Sequence, residues 1–448
     1  MDAATFRRLG HQLIDWIADY RERIESLPVM SRSQPGEIRA RFSDRPPEKK
    51  SDVDLISAIE RDILPGITHW NHPSFFAYFP SNTSFASILA DLVASGLGAQ
   101  GMSWQTSPAA TEVEDVMMDW LRQMLGLSPA FTGVIHDTAS TATLCALICA
   151  RERSRGVVYS SEQANSSVEK AARMAGFEHF RAIDTDDAHA LRPDLLARAI
   201  EEDLARGLRP SAVVATVGTT GTTAIDPLPA IADLAERHRM WLHVDAALAG
   251  TAMVLPECRP LWEGIERADS LVLNPHKWMG VGFDFSAYYV RDPAYLVSVM
   301  SMSANILKTA QDGAVRNLRD WGIPLGRRFR SLKLWFHLLD MGVEGIQARI
   351  RRDLENAQWL AHQVDASSDW ERVAPVPLQT VCMRHRSADS SAIADRVNRG
   401  GSAYVTPSAI KGRHMIRVSI GAEGTERHHV EAVWRALREA SVAIMHQA

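Results

Sequence analysis

Lys277 stands directly after a short apolar run, Leu271-Val272-Leu273, in the segment Asn274-Pro275-His276-Lys277-Trp278. A second apolar run, Met240-Trp241-Leu242-His243-Val244, delivers Asp245 to its own carboxyl end. A primary amine can capture an aldehyde, and a carboxylate can keep a neighbouring ring nitrogen protonated. Held at the ends of adjacent strands, the two would turn a heteroaromatic ring into an electron sink. Each residue alone has a plainer reading: Asp245 as a core carboxylate satisfied by backbone donors, Lys277 as a loop lysine. Ala246 and Ala247 follow the aspartate and are small enough for a flat ring to lie on the backbone.

These are the needs of pyridoxal 5'-phosphate, whose phosphate also requires N–H groups at a helix N-terminus and small hydroxyls. Gly133-Val134-Ile135-His136 reads as a strand that runs through Asp137-Thr138 into Ala139-Ser140-Thr141 and then a helix. An ordinary Ser/Thr helix cap is the alternative there. Asn274 offers one more polar contact, and Thr219-Thr220-Gly221-Thr222-Thr223, ahead of Asp226, adds hydroxyls to the same rim. No G-x-G-x-x-G follows a strand and no P-loop occurs, so dinucleotides and ATP are poorly supported.

Positioning such groups takes an α/β scaffold. Between about 71 and 340, apolar runs such as Gly156–Tyr159, Ala212–Val217 and Ser270–Leu273 alternate with helical stretches such as Leu195–Leu204 and Pro229–His238. Continuous apolar strands alternating with helices predict a mainly parallel sheet covered on both faces, with ligands outside the strand carboxyl ends. Residues 1–70 predict amphipathic helices split by a Pro- and charge-rich loop, Ser31 to Ser51, with a second helix over Asp52–Ile63. Two such helices cannot bury their apolar faces alone, so this part is expected to pack on another subunit or across the main domain. Residues 341–448 predict a small α+β domain: a charged helix over Val343–Val364, strands near Thr380–Arg384 and Met415–Ile420, and a closing helix over Glu426–Ile444.

The chain has 448 residues, 46% hydrophobic and 23% charged, which allows a large buried core. A net charge of −5 argues against nucleic acid as a main partner. Cys145 and Cys149, four apart in an apolar helix, read as packing, and neither a metal site nor C-x-x-C spacing is evident. No signal-peptide core or bilayer-length apolar stretch is visible, so a cytoplasmic location is expected, without membrane partners.

His243-Val244-Asp245-Ala246-Ala247 and Asn274-Pro275-His276-Lys277-Trp278 resemble the pyridoxal-phosphate-dependent group II amino-acid decarboxylases, the aromatic-L-amino-acid decarboxylases most of all. His72-Pro73-Ser74-Phe75-Phe76-Ala77-Tyr78-Phe79-Pro80, the stretch from Ser107 to Trp120, and Ile323-Pro324-Leu325-Gly326-Arg327-Arg328-Phe329-Arg330 are similar to the same family, so the likeness covers nearly the whole chain. It implies a fold type I, aspartate-aminotransferase-like enzyme and a homodimer with active sites at the subunit interface. The expected reaction releases CO2 from an aromatic L-amino acid of the Phe, Tyr, Trp or DOPA class and leaves the arylalkylamine. By that likeness Lys277 carries the cofactor and Asp245 partners its ring nitrogen. Ala139, Ser140 and Asn274 hold the phosphate, with His276 nearby, and Ala247 packs on the ring. Thr220 sits near the ring hydroxyl or the substrate carboxylate. Trp70, Tyr78, Phe79 and Pro80 form the side-chain pocket, with Gln100 and Met102 on the substrate side. No cation is evident around Tyr78 to Pro80 for an acidic side chain.

Two residues depart from the family pattern. Asn165, in Tyr159-Ser160-Ser161-Glu162-Gln163-Ala164-Asn165, stands where such decarboxylases place a histidine over the ring. Asparagine can lie flat and hydrogen-bond, but it carries no ionisable proton. Insect aromatic acetaldehyde synthases that resemble this family share the asparagine; they decarboxylate and then deaminate with O2, releasing aldehyde, ammonia and peroxide. Leu318, in the segment read as the mobile catalytic loop, stands where many eukaryotic members have tyrosine, and leucine cannot protonate a carbanion, which leaves His276 or a loop water as the alternative catalytic acid. Simple decarboxylation is the first expectation, aldehyde formation the second. A cofactor-binding protein without turnover is the third.

Overall fold

Runs rich in Val, Ile and aromatic residues, punctuated by Gly, Pro and Asp, become the strands of two sheets. The computed structural model describes residues 1–50, 54–301, 311 and 313–446. Its strands are β1 (Phe75–Phe76), β2 (Thr132–His136), β3 (Val157–Ser161), β4 (His179–Ile183), β5 (Pro210–Thr216), β6 (Trp241–Asp245), β7 (Ser270–Leu273), β8 (Ser286–Val290), β9 (Trp370–Arg372), β10 (Thr380–His385), β11 (Tyr404–Ile410) and β12 (Arg413–Ser419). The helices are α1 (Ala3–Glu22), α2 (Leu55–Ala58), α3 (Phe85–Leu97), α4 (Pro108–Met124), α5 (Ala139–Arg153), α6 (Ser166–Met174), α7 (Pro193–Ala205), α8 (Leu228–His238), α9 (Pro293–Met300), α10 (Ser331–Asp365), α11 (Ser390–Gly400) and α12 (Arg427–Met445).

The larger sheet runs β2-β8-β7-β6-β5-β3-β4. Neighbours from β7 to β4 pair in parallel, and β8 lies antiparallel between β2 and β7. Every residue of β3, β5, β6 and β7 is buried, as a sheet covered on both faces requires. Alternate side chains serve opposite cores: Val158, Val214 and Val272 pack with α5, α6 and α9, whereas Tyr159, Val213 and Leu271 pack with α4, α7 and α8. This is the expected fold type I layering. Thr216 pairs with Asp245 and Asp245 with Val272, so the carboxyl ends of β5, β6 and β7 open on one rim.

The smaller sheet runs β1-β11-β12-β10-β9 and is backed by α11, α12 and the distal part of α10 around Trp370 and Trp434. Its edge strand β1 comes from residues ahead of the large sheet and pairs in parallel with β11. The helix read as starting at Val343 does start there, after Gly342, whose non-helical backbone at φ +63 separates it within α10 from a preceding helical stretch that begins at Ser331. That glycine is what made the sequence read as an element boundary. In the N-terminal part, Asp2 caps α1, which buries none of its residues in this single chain; Phe6 is 62% exposed. Of the helix expected over Asp52–Ile63, Asp52 and Val53 lie outside the described residues, as does Ser51. Leu55–Ala58 is α-helical, and Ile59–Ile63 widens into a π-helical turn. All four cysteines are free and buried, Cys145 and Cys149 inside α5 as the packing reading expects. Among the described residues no helix is long and apolar enough to cross a membrane.

Candidate active site

Asp245 ends β6, buried, with Oδ1 accepting the Ala247 N–H at 3.0 Å. Burial pushes its carboxyl up, opposed by the charge of Lys277. Lys277 sits in a π-helical turn, Pro275–Met279, which follows β7 and closes on Gly280 at φ +96, a value suited to glycine. Burial pushes the Lys277 amine below the ordinary lysine value, opposed by Asp245. The two groups therefore feel each other across one site. A lowered amine pKa also favours the free base that attacks an aldehyde.

Ala247 is held by both its main-chain groups, its N–H on Asp245 and its carbonyl accepting the Asn274 N–H at 2.9 Å. Asn274 is buried and its Oδ1 accepts the Ser286 hydroxyl. At the end of β2, Thr138 caps α5 by accepting the Thr141 N–H, which puts Ala139 and the exposed Ser140 in the first helical turn. Asn165 caps α6, with Oδ1 accepting the Ser167 N–H at 3.0 Å and Nδ2 donating to Thr220 Oγ1 at 3.1 Å. Asn165 and Thr220, far apart in sequence, are thus direct partners.

His276 is buried, and its Nδ1 accepts the Phe285 N–H at 3.0 Å. Burial first, then the Lys277 charge, pushes its pKa down to about 4. The ring is neutral near pH 7 and carries its proton on Nε2, as a hydrogen-bond donor rather than an acid.

A cavity of about 430 Å³ is shared by Lys277, His276 and Thr220 with an aromatic wall of Trp70, Tyr78 and Phe79, continued by Pro80. Trp70 stacks on Tyr78 at 5.7 Å, and Lys277 Nζ lies 5.2 Å from the Phe79 ring centre. Tyr78 has φ +52, a backbone conformation that a bulky residue holds only when its surroundings impose it. Here Thr406 Oγ1 accepts its N–H at 2.7 Å and Arg417 donates to its carbonyl at 3.2 Å. Behind the wall, Gly421 must lack a side chain: a Cβ there would lie 2.8 Å from Pro80 and 3.1 Å from Trp278.

Arg417 corrects the expectation that the pocket holds no cation. It lines the cavity from β12, with Nε donating to the Gly221 carbonyl at 2.7 Å. Its Nη2 is buried without a hydrogen-bond partner among the described residues. The cue was present in Met415-Ile416-Arg417-Val418, where a guanidinium interrupts an apolar run.

Gln100 and Met102 do not line this cavity within the chain. Gln100 Oε1 accepts the Arg327 N–H at 2.6 Å, and the Met102 carbonyl accepts the Arg319 N–H at 2.8 Å. Leu318 is a second correction: it is buried in the core beside α5 and α9, so it is not a loop residue poised over a substrate. Residues 302–310 and 312, just upstream, lie outside the described residues.

Glu25, His428 and His429 bring three possible metal-ligand atoms together, but none of them lines the cavity. His429 Nδ1 accepts the Glu426 N–H at 3.0 Å, which leaves the proton on Nε2, the atom facing Glu25.

Residues 35–386 match the family model described as the pyridoxal-dependent decarboxylase conserved domain. The chain is 38% identical to tryptophan decarboxylase 2 of Oryza sativa subsp. japonica, over 99% of this chain and 96% of that protein. It is 39% identical to phenylacetaldehyde synthase of Arabidopsis thaliana, over 100% of this chain and 98% of that one. The crystal structure of Oryza sativa TDC with PLP and tryptamine superposes with a TM-score of 0.96 at 35% identity, covering 99% of both chains.

Proposed function

This chain belongs to the pyridoxal-dependent decarboxylase family, and we propose that its cavity takes an aromatic L-amino acid whose carboxylate leaves as CO2. It is a pyridoxal-phosphate enzyme of the aromatic-amino-acid decarboxylase type. The observation that carries the substrate class is the one cavity shared by Lys277 and the wall of Trp70, Tyr78 and Phe79. The residues present fit the cofactor. Lys277 offers a half-buried amine at the cavity, Asp245 a buried carboxylate with Oδ2 unengaged by hydrogen bonds among the described residues, and the start of α5 the small hydroxyls a phosphate requires. When bound, the cofactor supplies a conjugated ring that accepts the electron pair of a bond broken at the substrate's α-carbon.

The chain's own residues supply the rest. Lys277 holds the cofactor between turnovers and gives way to the substrate amine. Asp245 stabilises positive charge on the ring nitrogen in a site where burial strengthens that interaction. Ala247, pinned through its main chain, offers a flat support, and the aromatic wall offers apolar ring faces to the substrate ring. Arg417 offers Nη2 to the departing carboxylate.

Arg417→Met should raise KM for amino-acid substrates by about tenfold or more, the scale of a lost hydrogen bond to a charged group. Binding of the corresponding amine, which lacks the carboxylate, should change little. An equal loss for amine and amino acid would instead mean that Arg417 acts only through Tyr78.

A second reading, aldehyde formation, is favoured by Asn165, whose amide is committed to the α6 cap and to Thr220 and brings no acid to that position. Amine, aldehyde and peroxide should be quantified together on a panel of aromatic amino acids. Amine is expected to dominate. Peroxide stoichiometric with CO2 would replace the first reading with the second, and Asn165→His would then be expected to shift product toward amine.

The homodimer is proposed on two supports: α1 buries nothing in the single chain, and Phe85, Leu89, Leu92 and Leu97 of α3 stand exposed. An interface there would give Gln100, just beyond α3, a partner site to face. Sedimentation of the purified protein tests this, and a stable monomer would overturn it.

A further inference from the structure

The turn that carries Lys277 ends in successive main-chain carbonyls, and each is taken by a donor from outside the turn. Asn82 Nδ2 donates to the Lys277 carbonyl at 3.1 Å. Arg349 Nη2 donates to that of Trp278. His337 Nε2 meets that of Met279 at 2.9 Å, and the Ser84 N–H meets that of Gly280 at 3.1 Å. The last carbonyls of a helical turn lack partners within it, so something must satisfy them. Here the donors come from two places, the segment that leads into α3 and the long helix α10.

Asn82 has 0% exposure, and its amide is used from both ends. Beyond Lys277 it donates to the Gly421 carbonyl at 2.7 Å and accepts the Glu423 N–H at 2.8 Å, both just past β12 in the smaller sheet. One side chain therefore joins the backbone of the cofactor lysine to the other sheet. Arg349 and Asp353 stand one turn apart on α10 and are both buried. Asp353 Oδ2 accepts the Trp278 indole N–H at 2.8 Å and lies 3.8 Å from Arg349 Nη1. The pair thus grips Trp278 by its carbonyl and by its ring. A buried ion pair of this kind adds little net stability, because desolvation offsets the attraction; what it can add is a single defined arrangement.

We propose that Asn82 and the Arg349–Asp353 pair are positioning residues for Lys277, fixing the backbone beneath its amine so that the amine meets the cofactor aldehyde in one geometry. Burial raises the Asp353 pKa to about 6, and Arg349 opposes that rise. The neighbouring positive charge thus helps keep the carboxylate ionised where the indole N–H needs an acceptor. The proposal rests on the reading of Lys277 as the cofactor-bearing amine.

The test uses full-length apoprotein mixed with pyridoxal phosphate. Stopped-flow absorbance reads the rate at which the cofactor becomes linked, and borohydride reduction followed by peptide mass spectrometry reads the fraction attached at Lys277. Asn82→Ala and Asp353→Asn are compared with Val397→Ala, a core truncation in α11 away from the turn, which calibrates plain loss of stability. Each of the two positioning variants should slow linkage by about tenfold and lower the trapped fraction, the scale expected when a reacting group is misplaced. Val397→Ala, at a similar loss of melting temperature, should not. Unchanged linkage in both variants, or the same slowing in Val397→Ala, overturns the positioning role. Absence of any linkage in the unsubstituted protein would overturn the reading of Lys277 itself, so the two failures are distinguishable. Asn82→Ser, which keeps one polar atom, should recover part of the rate if Asn82→Ala folds poorly.

Discussion

Lys277→Ala should remove the visible absorbance of the linked cofactor and lower kcat by about a thousandfold or more, as loss of a covalent group does in other enzymes. The cofactor should still associate, because the start of α5, Asn274 and Asp245 remain, and its spectrum should then be that of the free aldehyde. The substitution removes an amine whose charge opposes the burial-driven rise of the Asp245 pKa, so Asp245 should become a weaker acid in the variant. Spectra at several pH values, with borohydride trapping as a control, check all three outcomes. Normal turnover with an unchanged spectrum would take Lys277 out of the chemistry.

Asp245→Asn should have the second-largest effect, a fall in kcat of about a hundred- to a thousandfold, the scale of removing one electrostatic contact to charge that develops in a buried site. The sign of its pH effect follows from the pair. Burial lowers the Lys277 pKa and the Asp245 charge raises it again. With the carboxylate gone, only the lowering remains, so the amine stays unprotonated to lower pH. Linkage formation by the apoprotein should therefore extend to lower pH in the variant even as turnover collapses. A fall in turnover with no downward shift of the linkage profile would separate Asp245 from the amine. Unchanged turnover would separate it from the cofactor.

Much of the scaffold is legible because parallel strands buried on both faces have to be largely apolar. Val157–Ser161, Pro210–Thr216, Trp241–Asp245 and Ser270–Leu273 are fully buried runs, and they end where chemistry-bearing residues begin. The elements that escaped the sequence reading lack that signature. β1 has two residues, and β11 buries only Val405 and Ile410 and contains Pro407. The stretch of α10 from Ser331 to the break at Gly342 went unread, whereas the helix after that glycine was read from Val343. Leu318 was misplaced because position relative to a motif says nothing about burial, and that leucine turned out to be core.

By itself, the order of residues determined the chemistry: an amine and a carboxylate each set at the end of an apolar strand, small residues beside the carboxylate, hydroxyls at a helix start, and an aromatic segment. Those are local features, written in residue type and short spacing. Tertiary structure alone decided which distant groups meet. It paired Asn165 with Thr220, brought Arg417 from the smaller sheet to the aromatic wall, and joined Asn82 to the Lys277 carbonyl. Each contact spans a long stretch of chain and rests on one side chain satisfying a main-chain or hydroxyl group. No periodicity or spacing announces a contact of that kind, because its partner is chosen by the way the sheets pack.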